Sequence, residues 1–332
     1  MKIPALIDIH VHLRDPGLTY KEDILTGSTA AYYGGFSTIC CMPNTKPTLD
    51  TPELIKYVLD HEAKVKVLPI GAITKSLEGK ELTDFKALKA AGAIAISDDG
   101  MPVIDNALFE EALIRAKEIN LPIAAHSEDF NAPNSRLAEE NGIYRDIQSS
   151  IKTNSPLHLC HVSTKGSIQM VREAKKDGAN ITSETCPHYF TLTSDRINMC
   201  GANAKMNPPL REKEDVEAVI EGLVDGTIDA IATDHAPHSR EEKTGDKPPN
   251  GIIGLETAFP LSYTYLVKTG FLNLEQLSEK MTYAPARIFN IEIPNEMIEV
   301  DLDNEYIIGD KFHSKSSNSP FVGLKVYGRI LR

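Results

Sequence analysis

Six residues of this chain have the types and the spacing to hold metal: His10, His12, Asp99, His126, His161 and Asp234, each at the polar end of an otherwise apolar run. His10 and His12 are the clearest pair. An i, i+2 spacing in an extended strand puts both imidazoles on one face, where they can converge on one ion at Zn–N distances of roughly 2.0–2.1 Å. A single histidine of this kind is more often a buried structural imidazole. Four histidines and two carboxylates meeting on one rim are a ligand set for one or two borderline divalent ions, and Zn2+ suits them best. An ion held so lowers the pKa of a bound water from about 15.7 towards about 7 and polarises a carbonyl oxygen, which is the chemistry of hydrolysis.

The elements that must position these residues can be read from the apolar runs. In Leu6-Ile7-Asp8-Ile9-His10-Val11-His12-Leu13 both faces of the strand are apolar, the mark of a parallel sheet buried on both sides. Eight such runs recur, at 5–13, 37–45, 65–74, 93–99, 122–128, 157–163, 180–188 and 228–235. Amphipathic helical segments separate most of them, for example 51–62, 80–91, 106–119, 165–177 and 211–225, several followed by a C-cap glycine (Gly92, Gly178, Gly226). Eight alternations predict an α/β protein, a (β/α)8 TIM barrel whose chemistry sits at the C-terminal strand ends, where the six residues fall. No G-x-G-x-x-G follows any run, so a nucleotide-binding doubly wound sheet has little support. Helices near 255–268 and 274–290 should close the barrel. The pattern then changes to short alternating runs, giving a barrel over 1–293 and a small C-terminal β-rich segment over 294–332 packed on its outside.

Composition narrows the partners. The 332 residues are 41% hydrophobic and 25% charged, with a formal net charge of −12, which argues against nucleic acid and anionic membranes as partners. An anionic substrate would need a few local cations to overcome that field. No apolar run approaches the roughly 18 residues that span a bilayer, and Met-Lys-Ile-Pro-Ala leads straight into the first strand without a signal-peptide pattern, so the expected location is cytoplasmic. Five cysteines, an odd number without a C-x-x-C pair, are expected to be reduced core thiols.

Specific motifs go further. D-I-H-V-H-L-R-D-P-G at 8–17, M-P-N-T at 42–45, S-D-D-G at 97–100, A-H-S-E-D at 125–129, H-V-S-T-K at 161–165, N-P-P-L-R at 207–211, A-T-D-H-A-P-H at 232–238 and G-I-I-G-L-E at 251–256 follow one another along nearly the whole barrel. In these the chain resembles the dihydroorotases of the amidohydrolase superfamily, and among them the bacterial type I form. The resemblance implies that His10, His12 and Asp234 hold the more buried metal and His126 and His161 the second. Asp99 would bridge them where many relatives use a carboxylated lysine. It is preferred to Asp98 because the family's bridging residue stands 27 positions before the histidine of A-H-S-E-D.

The implied reaction is the reversible ring closure of N-carbamoyl-L-aspartate to L-dihydroorotate in de novo pyrimidine synthesis, run by a zinc-dependent cyclic amide hydrolase. A metal-bound hydroxide would be the nucleophile and Asp234 the general acid and base. Arg14, Asn44 and His238 would hold the substrate carboxylate, Arg14 through a fixed fork of donors, while Asn207 and backbone groups of the loop from Gly251 to Gly254 contact the ring amides.

His61, His158, His188 and His313 are set aside as structural, His158 because alternation along its strand points it to the face opposite His161. His235 is read as a supporting group beside Asp234. Longer relatives build a β-sandwich beside the barrel from both termini, and here only a remnant of it is expected. Two alternatives remain at this stage: another cyclic amidase (allantoinase, hydantoinase or dihydropyrimidinase), or a non-catalytic subunit of aspartate carbamoyltransferase. Docking of an active enzyme onto aspartate carbamoyltransferase, and a homodimer, are both left open.

Overall fold

Apolar β-favouring runs become eight parallel strands, and their hydrogen bonds close on themselves. The computed structural model describes residues 1–132 and 134–332. A short first strand β1 (Lys2–Pro4) leads into β2 (Leu6–Val11), which is buried at every position. There follow β3 (Phe36–Cys41), β4 (Lys66–Ala72), β5 (Ala95–Ser97), β6 (Ala124–Ala125), β7 (Leu157–Leu159), β8 (Ile181–Thr185) and β9 (Ala230–Ile231). The order β2-β3-β4-β5 forms one four-stranded parallel sheet and β6-β7-β8-β9 a second. Single parallel bridges join the two at both seams, Ile96 to Ile123 and Val11 to His235, with His12 N donating to His235 O at 2.8 Å. The result is the expected TIM barrel.

Inside the barrel, Ile7, Ile9, Cys40, Met42, Ile70 and Cys160 pack with the alanines of β5, β6 and β9, and Phe289 fills the end away from the polar rim. A larger apolar layer fills the space between strands and helices. Each predicted strand is present but shorter than its apolar run, because the chain leaves sheet geometry as soon as it reaches the rim. The expected helices form at Pro52–Asp60, Phe85–Ala91, Asn106–Glu118, Lys165–Lys176 and Lys213–Asp225, with Gly92 and Gly226 as left-handed C-caps. The longest helix, Ser135–Thr153, was not singled out by the sequence pattern. It lies hard against the chain beyond β6: a Cβ on its Gly142 would meet the backbone of Ser127 and Glu128 at 2.4–2.8 Å, so glycine there lets the helix brace the segment that carries His126.

The closing helices appear at Ala258–Ser262 and Leu274–Ser278, continue as π-helical turns, and end with Ala284–Ile288. Beyond them β10 (Met297–Asp301) pairs antiparallel with both β1 and β13 (Arg329–Leu331), and β11 (Tyr306–Ile307) pairs with β12 (Lys325–Val326). The outer β-structure therefore draws on the first residues of the chain as well as the last. Cys40, Cys41, Cys160 and Cys186 are buried free thiols and Cys200 is half-buried, so no disulfide links the described residues. No helix among them is long and apolar enough to cross a membrane.

Candidate active site

Asp99 lies just past the end of β5 and is shared by two groups of potential ligands, His10 with His12 on one side and His126 with His161 on the other. His10 Nε2, His126 Nδ1 and His161 Nε2 stand 3.4, 3.5 and 3.7 Å from Asp99 Oδ1, and His12 Nε2 stands 3.4 Å from Oδ2. Asp234 completes the first group, its Oδ1 lying 3.0 Å from His12 Nε2 and 3.6 Å from His10 Nε2. Asp98 is turned away, accepting from the backbone N–H groups of Ile73 and Thr74 at 2.8 and 3.0 Å and from the Thr74 hydroxyl. Of the two adjacent aspartates, Asp99 is the one inside the cluster.

Two observations test whether a cation fits here. His10 Nε2 and Asp99 Oδ1 are fully buried, face each other, and find no hydrogen-bond partner among the described residues. Ligand atoms about 2.0–2.1 Å from one tetrahedral ion are about 3.3–3.4 Å apart, close to the spacing of these donors. The charge agrees. Burial pushes the Asp99 and Asp234 carboxyls up, yet the facing imidazoles hold both well below the usual carboxylate range, so this pocket is built to surround carboxylates with positive charge. The donor set fits a metal ion. A third group, His10, Cys160 and Glu184, lies deeper, where His10 Nδ1 already donates to Glu184 at 2.6 Å and burial pushes the Cys160 thiol up to about 12.

Hydrogen-bond acceptors aim the imidazoles. Glu184, inside the barrel on β8, accepts from His10 Nδ1 at 2.6 Å and so leaves Nε2 for the cluster. Asn44 Oδ1 accepts from His12 Nδ1 at 2.8 Å and likewise leaves Nε2, while Glu128 accepts from His126 Nε2 at 2.9 Å and leaves Nδ1 for the cluster. Asp8 ties β2 to the loop after β9, accepting from His10 N at 3.1 Å, Thr233 N at 3.1 Å and Thr233 Oγ1 at 2.6 Å, which sets His10 in register with Asp234. Arg14, His161 and Asp234 adopt left-handed backbone, with φ of 62°, 36° and 47°, an uncommon state for residues with a Cβ and one that redirects side chains at the rim.

That redirection corrects one expectation. Strict alternation would put His158 and His161 on opposite faces, but both face inward, because the left-handed turn at His161 breaks the alternation. His158 sits one layer below the cluster with Nε2 3.2 Å from Glu184 and its ring edge-on to Phe289. His235 is a supporting group as expected, its Nδ1 accepting from Gly254 N at 3.2 Å. His188 is buried, and His61 and His313 lie at the exposed surface.

Above the cluster opens a cavity of about 250 Å3. Nine of the ten residues singled out from the sequence line it, namely His12, Arg14, Asn44, Asp99, His126, His161, Asn207, Asp234 and His238; His10 lies beneath. Arg14 Nε donates to Pro237 O at 3.2 Å, and its Nη2 lies 3.3 Å from His238 Nε2. Burial first, and then the neighbouring Arg14, Lys21 and Lys243 cations, push the His238 pKa down to about 3. Its ring is therefore neutral: Nε2–H donates to Asn250 O at 2.8 Å and Nδ1 accepts from Lys21 Nζ at 3.3 Å. Asn207 donates to Glu128 at 3.0 Å, so Glu128 links it to His126.

Sequence reasoning missed Glu184, Glu128, Asp8, Lys243 and Asn318. A signal existed for Glu184, an acidic residue inside an apolar strand run, and for Glu128, which stands within A-H-S-E-D. Asn318 lies in the C-terminal segment, where nothing in the sequence points towards the cavity.

A closed parallel barrel with a carboxylate shared between two histidine pairs at its C-terminal rim defines a metal-dependent amidohydrolase. Solved structures agree: an L-hydantoinase (dihydropyrimidinase) from Arthrobacter aurescens superposes with a TM-score of 0.89 at 25% identity, over 99% of this chain and 83% of that one. A dihydropyrimidinase from Brevibacillus agri shares the fold, with a TM-score of 0.86 at 20% identity over 99% and 82% of the two chains. Closer in sequence, residues 1–154 match the family described as Dihydro-orotase-like. Dihydroorotases from Acetivibrio thermocellus and Geotalea daltonii are 45% and 46% identical, over 99% and 98% of this chain and 84% of each relative; one from Staphylococcus aureus is 44% identical over 98% and 84%. The chain belongs to the dihydroorotase family, and it is an enzyme of that hydrolase class.

Proposed function

We propose that the chain interconverts N-carbamoyl-L-aspartate and L-dihydroorotate at this cavity, as a step of pyrimidine synthesis in the cytoplasm, using one or two Zn2+ ions. The observation that carries the reading is the Arg14 guanidinium beside a neutral His238, across a small cavity from the shared Asp99. A ring that bears a carboxylate needs such a cationic wall; an uncharged hydantoin does not.

His10, His12 and Asp234 would hold one ion, His126 and His161 a second, and Asp99 both. When bound, the metal makes water nucleophilic at neutral pH and draws electron density from the amide carbonyl. Asp234 lines the cavity, its Oδ1 3.0 Å from His12 Nε2. In the ring-opening direction it takes the proton of the attacking water and returns it to the ring nitrogen that leaves; ring closure reverses both transfers. Arg14 and Asn44 orient the carboxylate; His238, its ring nitrogens taken by Asn250 and Lys21, forms the wall beside Arg14; and Asn207 with the backbone at Gly251 contacts the ring amides. The barrel over 1–293 carries this site, with 294–332 as its small β-rich partner. Docking onto aspartate carbamoyltransferase and pairing with a second copy are compatible with this activity.

The test is the ultraviolet absorbance change on adding L-dihydroorotate to zinc-supplied protein, with chelator-treated protein as control and hydantoin and allantoin as competing substrates. Chelator-sensitive opening of dihydroorotate, well ahead of the other rings, is expected. Preference for an uncharged ring would replace the proposal with another cyclic amidase, and zinc binding without any turnover would point to a missing partner. Absence of both zinc binding and turnover would indicate a non-catalytic subunit.

A further inference from the structure

The carbonyl of Gly251 is held by two buried side chains from distant parts of the chain. Lys243, on the single helical turn Arg240–Thr244, donates to it at 2.8 Å, and Asn318, in the C-terminal segment, donates to it at 3.0 Å. Each makes further contacts with the cavity rim. The Lys243 ammonium also reaches Pro249 O at 3.0 Å and Lys205 O at 3.2 Å, so all three of its donors meet carbonyls. Asn318 also donates to Ala236 O at 3.1 Å and accepts from His238 N at 3.1 Å.

The backbone between them has little freedom. Gly251 has a φ of 135°, and a Cβ there would lie 2.7 Å from Ala236 O and 3.0 Å from the His238 ring. Next to it, Asn250 O accepts from His238 Nε2 at 2.8 Å. A small outward shift of Gly251 would therefore withdraw the group that fixes the His238 ring and would move the cavity edge formed by Asn250 and Gly251. Burial pushes the Lys243 ammonium down to about 8, with Lys205 adding repulsion and Glu242 partly offsetting it, and its three carbonyl partners take up its donors in this desolvated place.

We propose that Lys243 and Asn318 are positioning residues that together fix the Asn250–Gly251 edge against His238, and so set affinity for the cyclic amide without acting on the metal or the proton transfers. The C-terminal segment thereby becomes part of the substrate site. The proposal rests on the reading of this cavity as the dihydroorotate site.

The test compares Lys243→Met, Asn318→Ala and the double variant in KM, kcat, zinc content and hydrogen–deuterium exchange across residues 246–254. Each single change is expected to raise KM by about tenfold with kcat within about threefold and zinc unchanged. The double variant should fall well short of the hundredfold product, since both residues hold one carbonyl. Exchange at 246–254 should quicken while distant segments stay unchanged. Unaltered KM, multiplicative effects, or parallel loss of zinc and kcat would each overturn the proposal. Lys243→Arg, which keeps a cation, should behave as a milder form of Lys243→Met and serves if the latter does not fold. If wild-type protein fails to open dihydroorotate, the substrate assignment falls, while the exchange data still judge the clamp: quickened exchange supports it and unchanged exchange sinks it.

Discussion

The two walls of the cavity are built on different principles. The metal wall stands on the barrel itself: His10 lies within β2, Asp99, His126, His161 and Asp234 follow strand ends, and Glu184 reaches His10 from within the apolar interior. The substrate wall is made of loops held by polar clips across long stretches of chain, as when Arg14 bonds Pro237 and Asn318 bonds His238. The first wall gathers negative carboxylates that call for a cation. The second gathers cations around a histidine kept neutral, and calls for an anion. Arg14 lines the cavity, while Lys21, paired with Glu242 at 2.9 Å, and Lys243 stand behind it around His238, so the positive charge of this side is local in a chain of formal charge −12.

Separating metal from substrate gives the largest expected effect. His12→Ala should lose bound metal and lower kcat by more than the roughly hundredfold cost of removing a supporting residue. Arg14→Met should keep its metal and chiefly raise KM for dihydroorotate, by about 10- to 100-fold, the value of a charge-assisted carboxylate contact. Metal analysis and steady-state kinetics on both variants decide the matter. Equal metal loss in the two would mean that the walls are not separate.

Glu184 asks how far the metal wall extends below its ligands. Burial raises its carboxyl, but His10 and His158 outweigh that and hold it at about 2, so it is ionised beneath His10. Glu184→Gln leaves an acceptor for His10 Nδ1 but removes the charge that strengthens the imidazole as a ligand. Metal affinity, measured by competition with a chelator, should weaken by about 10- to 100-fold while KM at saturating metal changes little. Unchanged affinity would confine the metal wall to its first layer.

The same division explains what the sequence could reveal. His10 and His12 were legible because strand periodicity fixes where i, i+2 side chains point, and all eight strands could be located because apolar runs mark a doubly covered sheet. His158 was misplaced because periodicity fails where His161 takes a left-handed turn, and such a turn leaves no mark in a histidine codon or its neighbours. Spacing from His126 in the family's pattern, not residue type, picks Asp99 over Asp98, since adjacent aspartates in a rim loop are alike until one finds Thr74 and the other finds the histidines. Lys243 and Asn318 were hidden for a further reason: their partners are backbone groups, which every residue carries, so no residue type elsewhere in the chain announces them.

The smallest effect concerns the neutrality of His238, on which the electrostatic contrast between the walls depends. Its pKa is about 3 in the folded protein and about 6.5 in an unfolded chain. Between those values the unfolded state takes up a proton that the folded state refuses, so stability falls as pH drops from 6.5 towards 3 and is independent of this group above 6.5. His238→Asn removes that contribution. Metal-free wild type should therefore lose more thermal stability than metal-free His238→Asn between pH 7.5 and pH 5, by a few degrees at most, and protonation of the other histidines, common to both proteins, cancels in the difference. Equal acid sensitivity would mean that His238 accepts its proton in the folded state despite Arg14 and Lys21. The substrate wall would then carry one more positive charge in acid, and binding of the anionic substrate should tighten as pH falls through the His238 titration instead of staying level.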